Sequence, residues 1–388
     1  MSAPERFDVV IVGARCAGAA TAMLLARQGH RVLVLDRAAR GSDTLSTHAL
    51  MRGGVLQLQR WGLLDHIAAA GTPAIRQVRF HYGDESTTVP IKPSAGVDAL
   101  YAPRRTLLDR VLVDAAVAAG AQVRFGVNVT GLDRDPEGRV VGVVGRDRRG
   151  RPVRAHGRLT VGADGKRSMV AREAGAATQW TGTGSAAAVY GYWAGLDVAG
   201  YEWLYRPGAA AGLIPTNDGK VCVFAGTTTA RFGDEIAGDL AAGYLRLLKE
   251  VVGDVIPGLQ AGQPPSRLRA FPGLPGYVRR PSGLGWALVG DAGQYLDPLG
   301  AHGITDALRD AELLARAAGA LLAGADETAA LREYEANRDR MTGPMFAVLD
   351  EIAGYRWTLP AVRQLLLAHS NAMGDEVDAL AALPVSSC

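Results

Sequence analysis

Four stretches gather residue types that handle phosphate, ribose hydroxyls and protons. In "VIVGARCAGAA" (Val10 to Ala20) the turn Gly13-Ala14-Arg15-Cys16-Ala17-Gly18 is followed by Asp36, 23 residues after Gly13. Glycines at such a turn admit a phosphate to the backbone amides, the helix that follows favours negative charge, and an acid at this distance accepts from ribose. Arg15 stands where the dinucleotide fingerprint has its middle glycine. Its guanidinium either meets phosphate oxygens itself or points to solvent. "LTVGADGKRSMVAREAG" (Leu159 to Gly175) carries an Asp164-Gly165 turn, and "GWALVGDAGQYLDPLGAHGITDALRDAELLA" (Gly285 to Ala315) carries a Gly290-Asp291 turn and a Pro-Gly loop. "LSTHAL" places His48 just before the helix of Arg52. His48 and His302 are the acid–base candidates because imidazole titrates near neutrality; the alternative is a histidine that holds its own loop by a backbone hydrogen bond.

The elements that must position these residues are legible by pattern. Phe7–Val12 reads as a buried strand, Ala17–Gln28 as an Ala- and Leu-rich helix ending at Gly29, and "HRVLVLD" as a second strand ending at Asp36. "QVRFHYGDESTTVPI" reads as strand, turn, strand. Short strands follow from about Thr178 to Ala270, with "EIAGDLAAGYLRLLKEVV" a helix among them, and Glu327 to Cys388 is mostly helical.

Composition sets the bounds. The chain has 388 residues, 48% hydrophobic and 21% charged, enough for two domains and a sizeable core. A net charge of +3 gives no reason to expect nucleic acid or an anionic membrane as partner. Cys16, Cys222 and Cys388 are too few and too scattered for a disulfide framework or a zinc site, so no metal is expected. With no apolar leader and no apolar run of bilayer length, the expectation is a cytoplasmic protein without membrane contact. The sequence leaves the oligomeric state open.

In order and spacing the three turn motifs resemble the FAD-dependent monooxygenases of the p-hydroxybenzoate hydroxylase type, with features of the related geranylgeranyl reductases and flavin-dependent halogenases. The resemblance runs from the N-terminus to about Leu322. It implies an α/β fold: a Rossmann-like FAD-binding domain of the glutathione reductase type, an interleaved antiparallel β-sheet substrate domain, and a helical C-terminal tail. On that pattern residues 1–75, 101–177 and 271–325 bind FAD, 76–100 and 178–270 form the substrate domain, and 326–388 are the tail.

The same resemblance assigns roles. Gly13, Arg15, Cys16, Ala17 and Gly18 would surround the pyrophosphate, and Asp36, beside Arg37, would hold the ribose. Arg52 would lie near the phosphates and ribityl chain, and Arg105 would touch the cofactor from the start of its helix. Asp164 would serve FAD and NADPH handling, or else act as a turn acid that satisfies backbone amides. Asp291, after Gly290, would accept from a ribityl hydroxyl. Pro298, Gly300, Ala301, His302, Gly303 and Ile304 would shape the loop over the flavin and aim a helix N-terminus at its pyrimidine side.

Tyr190, Tyr192, Trp203 and Tyr205 would line an apolar substrate pocket, or else belong to the core; alternation puts Trp193 on the opposite face from Tyr190 and Tyr192. The implied reaction is hydroxylation of an apolar aromatic or polyketide-like molecule, with NADPH or NADH as transient reductant and O2 delivered through a flavin C4a-hydroperoxide. "DPLGAHGI" departs from the hydroxylases toward the polyprenyl reductases, so reduction of isolated C=C bonds is the enzymatic rival. A halogenase and a flavin-carrying sensor without turnover are the remaining readings.

Overall fold

A computed structural model describes residues 3–253, 259, 265 and 267–384. The remainder of the tail after 384, Cys388 included, and residues 254–258, 260–264 and 266 of the expected substrate domain lie outside the described residues.

Branched apolar strands buried on both faces build a six-stranded sheet. Its order is Ser282–Gly283, Trp286–Leu288, Leu159–Gly162, Val9–Val12, Val32–Asp36 and Gln122–Phe125, parallel except at the Ser282–Gly283 edge. Val9–Val12 crosses to Val32–Asp36 through the helix Cys16–Arg27. That helix is buried from Cys16 to Ala26 because it is wedged among the sheet and the helices Arg105–Ala118 and Gly303–Leu322, so alanine dominates where larger side chains would not fit. Gly29, with φ of 86°, ends it as expected.

A second sheet has seven strands, in the order Arg269–Phe271, Ala186–Ala194, Lys220–Thr228, Ala209–Pro215, Tyr201–Arg206, Gln77–Tyr82 and Glu85–Pro90. It is not wholly antiparallel: Gln77–Tyr82 joins Tyr201–Arg206 in parallel, because the two come from separate stretches of chain rather than from one hairpin. Strict alternation sorts its aromatics. Trp193 packs on the helix Leu240–Val252 and donates its indole N–H to Tyr244 at 2.9 Å, while Tyr190, Trp203, Tyr205 and Phe224 share the opposite face.

Two further sheets escape the sequence patterns: Glu5–Arg6 with Pro152–His156, Val140–Asp147 and Val127–Arg134, and a three-stranded one of Thr178–Thr181, Tyr277–Arg279 and Gln294–Tyr295. The tail forms two long helices, Glu327–Ala353 and Leu359–Ala382. Among the described residues no helix is long and apolar enough to cross a membrane.

Candidate active site

The strand Val9–Val12 ends in Gly13, whose φ of 106° suits only glycine. A Cβ there would stand 2.3 Å from the Ala163 carbonyl oxygen, and one on Gly18 would stand 1.9 Å from the Gly13 carbonyl oxygen. Arg15 sits between them in ordinary extended backbone, φ −88° and ψ −168°, so the middle position takes a side chain without strain. The Arg15 side chain does not simply point to solvent. It lines a cleft with Ala14, Asp36, Ser42 and Asp109, but its guanidinium is held by Asp109 at 3.1 Å, Ser42 Oγ at 3.3 Å and the Asp43 carbonyl at 3.3 Å.

Asp109 is the organiser that pattern reading missed. It lies one helical turn past Arg105 and receives Arg15, Arg105 (2.9 Å) and the Cys16 thiol (3.2 Å). Burial, foremost, pushes the Cys16 thiol up, so it is no nucleophile. Asp36 accepts the Ala14 and Ala38 amides, each at 2.7 Å, one on each carboxylate oxygen; second lone pairs remain for ribose. Arg37 is exposed. Arg52 is turned to the loop at 92–97, donating to the carbonyls of Val97 (2.9 Å) and Lys92 (2.8 Å), and so staples that loop. Asp164 follows its turn-acid alternative. Its carboxylate takes the Ser168 hydroxyl and the amides of Met169 (2.6 Å) and Val170 (3.2 Å), capping the helix Met169–Glu173.

The Gly290-Asp291 turn is a single turn of 3-10 helix, Gly290–Ala292, packed on Ala17: a Cβ on Gly290 would stand 3.0 Å from the Ala17 Cβ. The Asp291 carboxylate has no hydrogen-bond partner among the described residues; burial raises its pKa, opposed by the nearby charges of Lys166 and Arg105. Lys166, unremarked in the sequence, lies over the rings of Phe271 (4.3 Å) and Tyr295 (4.6 Å). The loop continues through Asp297, which accepts the amides of Ala186 (2.9 Å) and Leu299 (3.0 Å) and so ties the loop to the seven-stranded sheet. Burial pushes Asp297 up to about 7. Pro298–Gly300 forms a second 3-10 turn, Ala301 adopts φ of 51°, and the helix Gly303–Leu322 begins at Gly303, where a Cβ would meet nothing within 4 Å. Ile304 is buried in the core behind.

His302 faces away from this loop into a buried ionic cluster. Its Nε2 pairs with Glu376 of the last helix at 2.7 Å, and Arg309 reaches Glu376 (2.9 Å), Asp306 (2.8 Å) and Asp310 (2.8 Å). The His302 ring does not bond its own loop's backbone as the alternative had it; Nδ1 has no partner among the described residues. His369 packs edge-on to it, and burial, with the His302 charge, lowers the His369 pKa to about 3. A histidine neutral when folded and protonated below about 6.5 when unfolded loses stability as pH falls from about 6.5 to 3. His369→Gln is therefore expected to be about 3 kcal/mol less acid-sensitive than wild type between pH 7 and 4, measured by denaturant titration at each pH.

His48 is buried, in left-handed backbone (φ 71°), stacked on Tyr192 with ring centroids 5.6 Å apart and hydrogen-bonded through Nε2 to the Tyr192 hydroxyl; Nδ1 has no partner. Burial and then the charges of Arg104, Arg105 and Arg269 hold its pKa well below the usual histidine value, so it is neutral. Tyr190, Tyr192, Trp203 and Tyr205 lie on one face of the sheet, as alternation requires; Tyr190, Trp203 and Tyr205 are buried in a core cluster, as their alternative reading had it, and Tyr192 is half-buried against it. That face also meets Leu299 and Ala301 of the loop and two aromatics from the tail, Tyr355 and Trp357. Nothing local in the tail's sequence marks Tyr355 and Trp357; only the long-range packing brings them in.

These features fit a flavin dinucleotide. The helices Cys16–Arg27, Arg52–Arg60, Arg105–Ala118 and Gly303–Leu322, all starting around the site, have no side-chain N-cap. Of the helices starting elsewhere, those at Met169, Thr229, Leu240, Glu327 and Leu359 are capped by Ser or Thr hydroxyls or Asp carboxylates, and only the short Leu64–Ala69 among the described residues is not. Open amide ends together with the unpartnered Asp291 carboxylate suit phosphate, pyrimidine oxygens and ribityl hydroxyls.

Fold and site define an FAD-binding oxidoreductase. The chain belongs to the family described as FAD binding domain, whose profile matches residues 6–346. It is 30% identical over 337 residues to a menaquinone reductase from Mycolicibacterium smegmatis, covering 80% of this chain and 76% of that one. It is 27% identical over 331 residues to squalene epoxidase erg1 from Schizosaccharomyces pombe, covering 81% and 69%. The flavin-dependent brominase Bmp2 has the same fold, with a TM-score of 0.82 at 18% identity over 99% of this chain and 94% of that one.

Proposed function

We propose that the enzyme is a monooxygenase that uses NADPH or NADH and O2 to oxygenate an apolar small molecule. One observation carries the reading: the aromatic face of Tyr190, Trp203, Tyr205, Phe224, Tyr355 and Trp357 closes against Leu299 and Ala301 of the cofactor loop. Residues 1–75, 101–177 and 271–325 would hold the cofactor, 76–100 and 178–270 the wall, and 326–388 the closing side. Bound FAD would supply electron transfer and O2 activation. The protein's part is to exclude water, hold the substrate's apolar body, and keep the site free of a strong acid; His48 is neutral and the Tyr192 hydroxyl is pushed up by burial. The test is NADPH and O2 consumption by the yellow protein with apolar candidates under 18O2. Substrate-stimulated uptake with label in the product is expected; turnover without label overturns the reading.

The hydrogen-bonded His48–Tyr192 pair favours a second reading, reduction of an isolated C=C bond, because such a reduction must deliver a proton to carbon. A relative named as a menaquinone reductase supports it. Tyr192→Phe separates the two. Oxygenation is expected to lose less than about tenfold in kcat, whereas a reductase deprived of its acid loses about 100-fold or more.

A further inference from the structure

Five arginines approach the site, and four have partners. Arg15 and Arg105 meet Asp109, Arg269 meets Asp43 at 2.6 Å, and Arg52 is held by two carbonyls. Arg104 differs. Its guanidinium has no hydrogen bond or ion pair among the described residues, and its Nε is buried without a partner. It lies over the face of Tyr192, 3.8 Å from the ring centroid, on the same side of the sheet as Cys222 and His48.

The backbone beneath it is fixed. The Arg104 N–H donates to Asn217 Oδ1 at 3.0 Å, and Asn217 donates in turn to the Ala70 carbonyl (3.1 Å) and Thr72 Oγ1 (2.9 Å). A backbone held through the anchored Asn217 thus presents a planar, five-donor cation that, among the described residues, rests on an aromatic face. Such a group is suited to a carboxylate, which it can grip with two parallel hydrogen bonds. Its neighbours on that face are a neutral imidazole, a thiol held protonated by burial, and phenols; the carboxylate whose charge reaches Tyr192, Asp43, is already paired with Arg269.

We propose that Arg104 is the anion anchor of the substrate pocket, and that the substrate is an apolar molecule bearing a carboxylate or an equivalent acidic oxygen. This rests on the aromatic wall being the substrate site. Tyr192 then has two duties, stacking under the guanidinium and orienting the bound acid's apolar body. The inference adds charge selection to a site whose grouped aromatics suggest only an apolar substrate.

The test measures binding without turnover. FAD-loaded protein is titrated by calorimetry and by the flavin absorption shift with benzoate, 2-naphthoate and decanoate, each beside its methyl ester, with no NADPH present. At least one acid is expected to bind tenfold or more tighter than its ester. Arg104→Gln should erase that ratio, and Arg104→Lys should keep part of it. Flavin content and melting temperature establish that each variant is folded; if Arg104→Gln does not hold flavin, the wild-type ratio and Arg104→Lys decide. Equal binding of every acid and its ester, an unchanged ratio in Arg104→Gln, or no binding by any acid overturns the proposal. Failure of oxygenation would leave the acid-to-ester ratio untouched, so the two readings fail separately.

Discussion

Gly18→Ala should emerge from purification colourless, with FAD affinity at least about 100-fold weaker, equivalent to about 2.7 kcal/mol. The added Cβ would lie 1.9 Å from the Gly13 carbonyl oxygen and 3.0 Å from the Ala163 Cβ, all of it backbone or rigid side chain. Relief requires the first helix to move away from the turn by more than an ångström. That helix is clamped by Arg105–Ala118 and Gly303–Leu322, so the shift is passed to the open amides at its own start. Overpacking of this kind costs about 1–3 kcal/mol in stability. The informative control is Gly29→Ala at the other end of the same helix. There φ is 86° but nothing lies within 4 Å, so only the conformational cost of about 1 kcal/mol applies and the yellow colour persists. Equal flavin content in the two variants, by absorbance of the purified proteins, would refute the close-packing account.

The same turn shows how much the sequence could say. Strand, turn, helix, strand and acid were legible because each rests on local chemistry: branched residues in Val9–Val12, glycine at positive φ, and alanine in a helix hemmed in on all sides. Arg15 was not legible. A middle glycine is dispensable only if the backbone there is extended, and the fate of the guanidinium depends on Asp109, which lies 94 residues away in sequence. Alternation correctly separated Trp193 from Tyr190 and Tyr192, because a period of two is a local property. Which face met the cofactor loop depended on Leu299, Tyr355 and Trp357, and no pattern in the strand encodes them. The acid–base candidates divided for the same reason. His48 lies against the aromatic wall, but His302 is pulled inward by Glu376, a residue in a helix read only as tail. Lys166 and Arg104 sit beside motif residues, after Gly165 and before Arg105, and no pattern singles them out. What marks them is the lack, among the described residues, of a carboxylate in hydrogen-bond contact, and only the folded chain shows that.

Arg309→Met is the variant that should damage the fold most. The Arg309 side chain is fully buried and is shared by Asp306, Asp310 and Glu376. Burial alone would raise Glu376, yet the charges of His302 and Arg309 hold it down to about 2. A carboxylate with a depressed folded pKa contributes stability above its unfolded value, and that contribution is lost as pH falls toward about 2. Removing the guanidinium leaves acids facing one another in a dry site with His302 as the remaining cation, a loss of about 3–5 kcal/mol. Methionine fills much of the volume, so the deficit is electrostatic rather than a cavity. The damage should also be relieved by acid: protonating the stranded carboxylates removes the repulsion, so the gap between variant and wild type should narrow from pH 7 to pH 4. Denaturant titrations at both pH values provide the measurement. A gap that is small at pH 7, or that widens on acidification, would mean the cluster is not held by Arg309. Because His302 directly precedes the first turn of the helix Gly303–Leu322, flavin affinity should fall together with stability, linking the last helix of the chain to the cofactor loop.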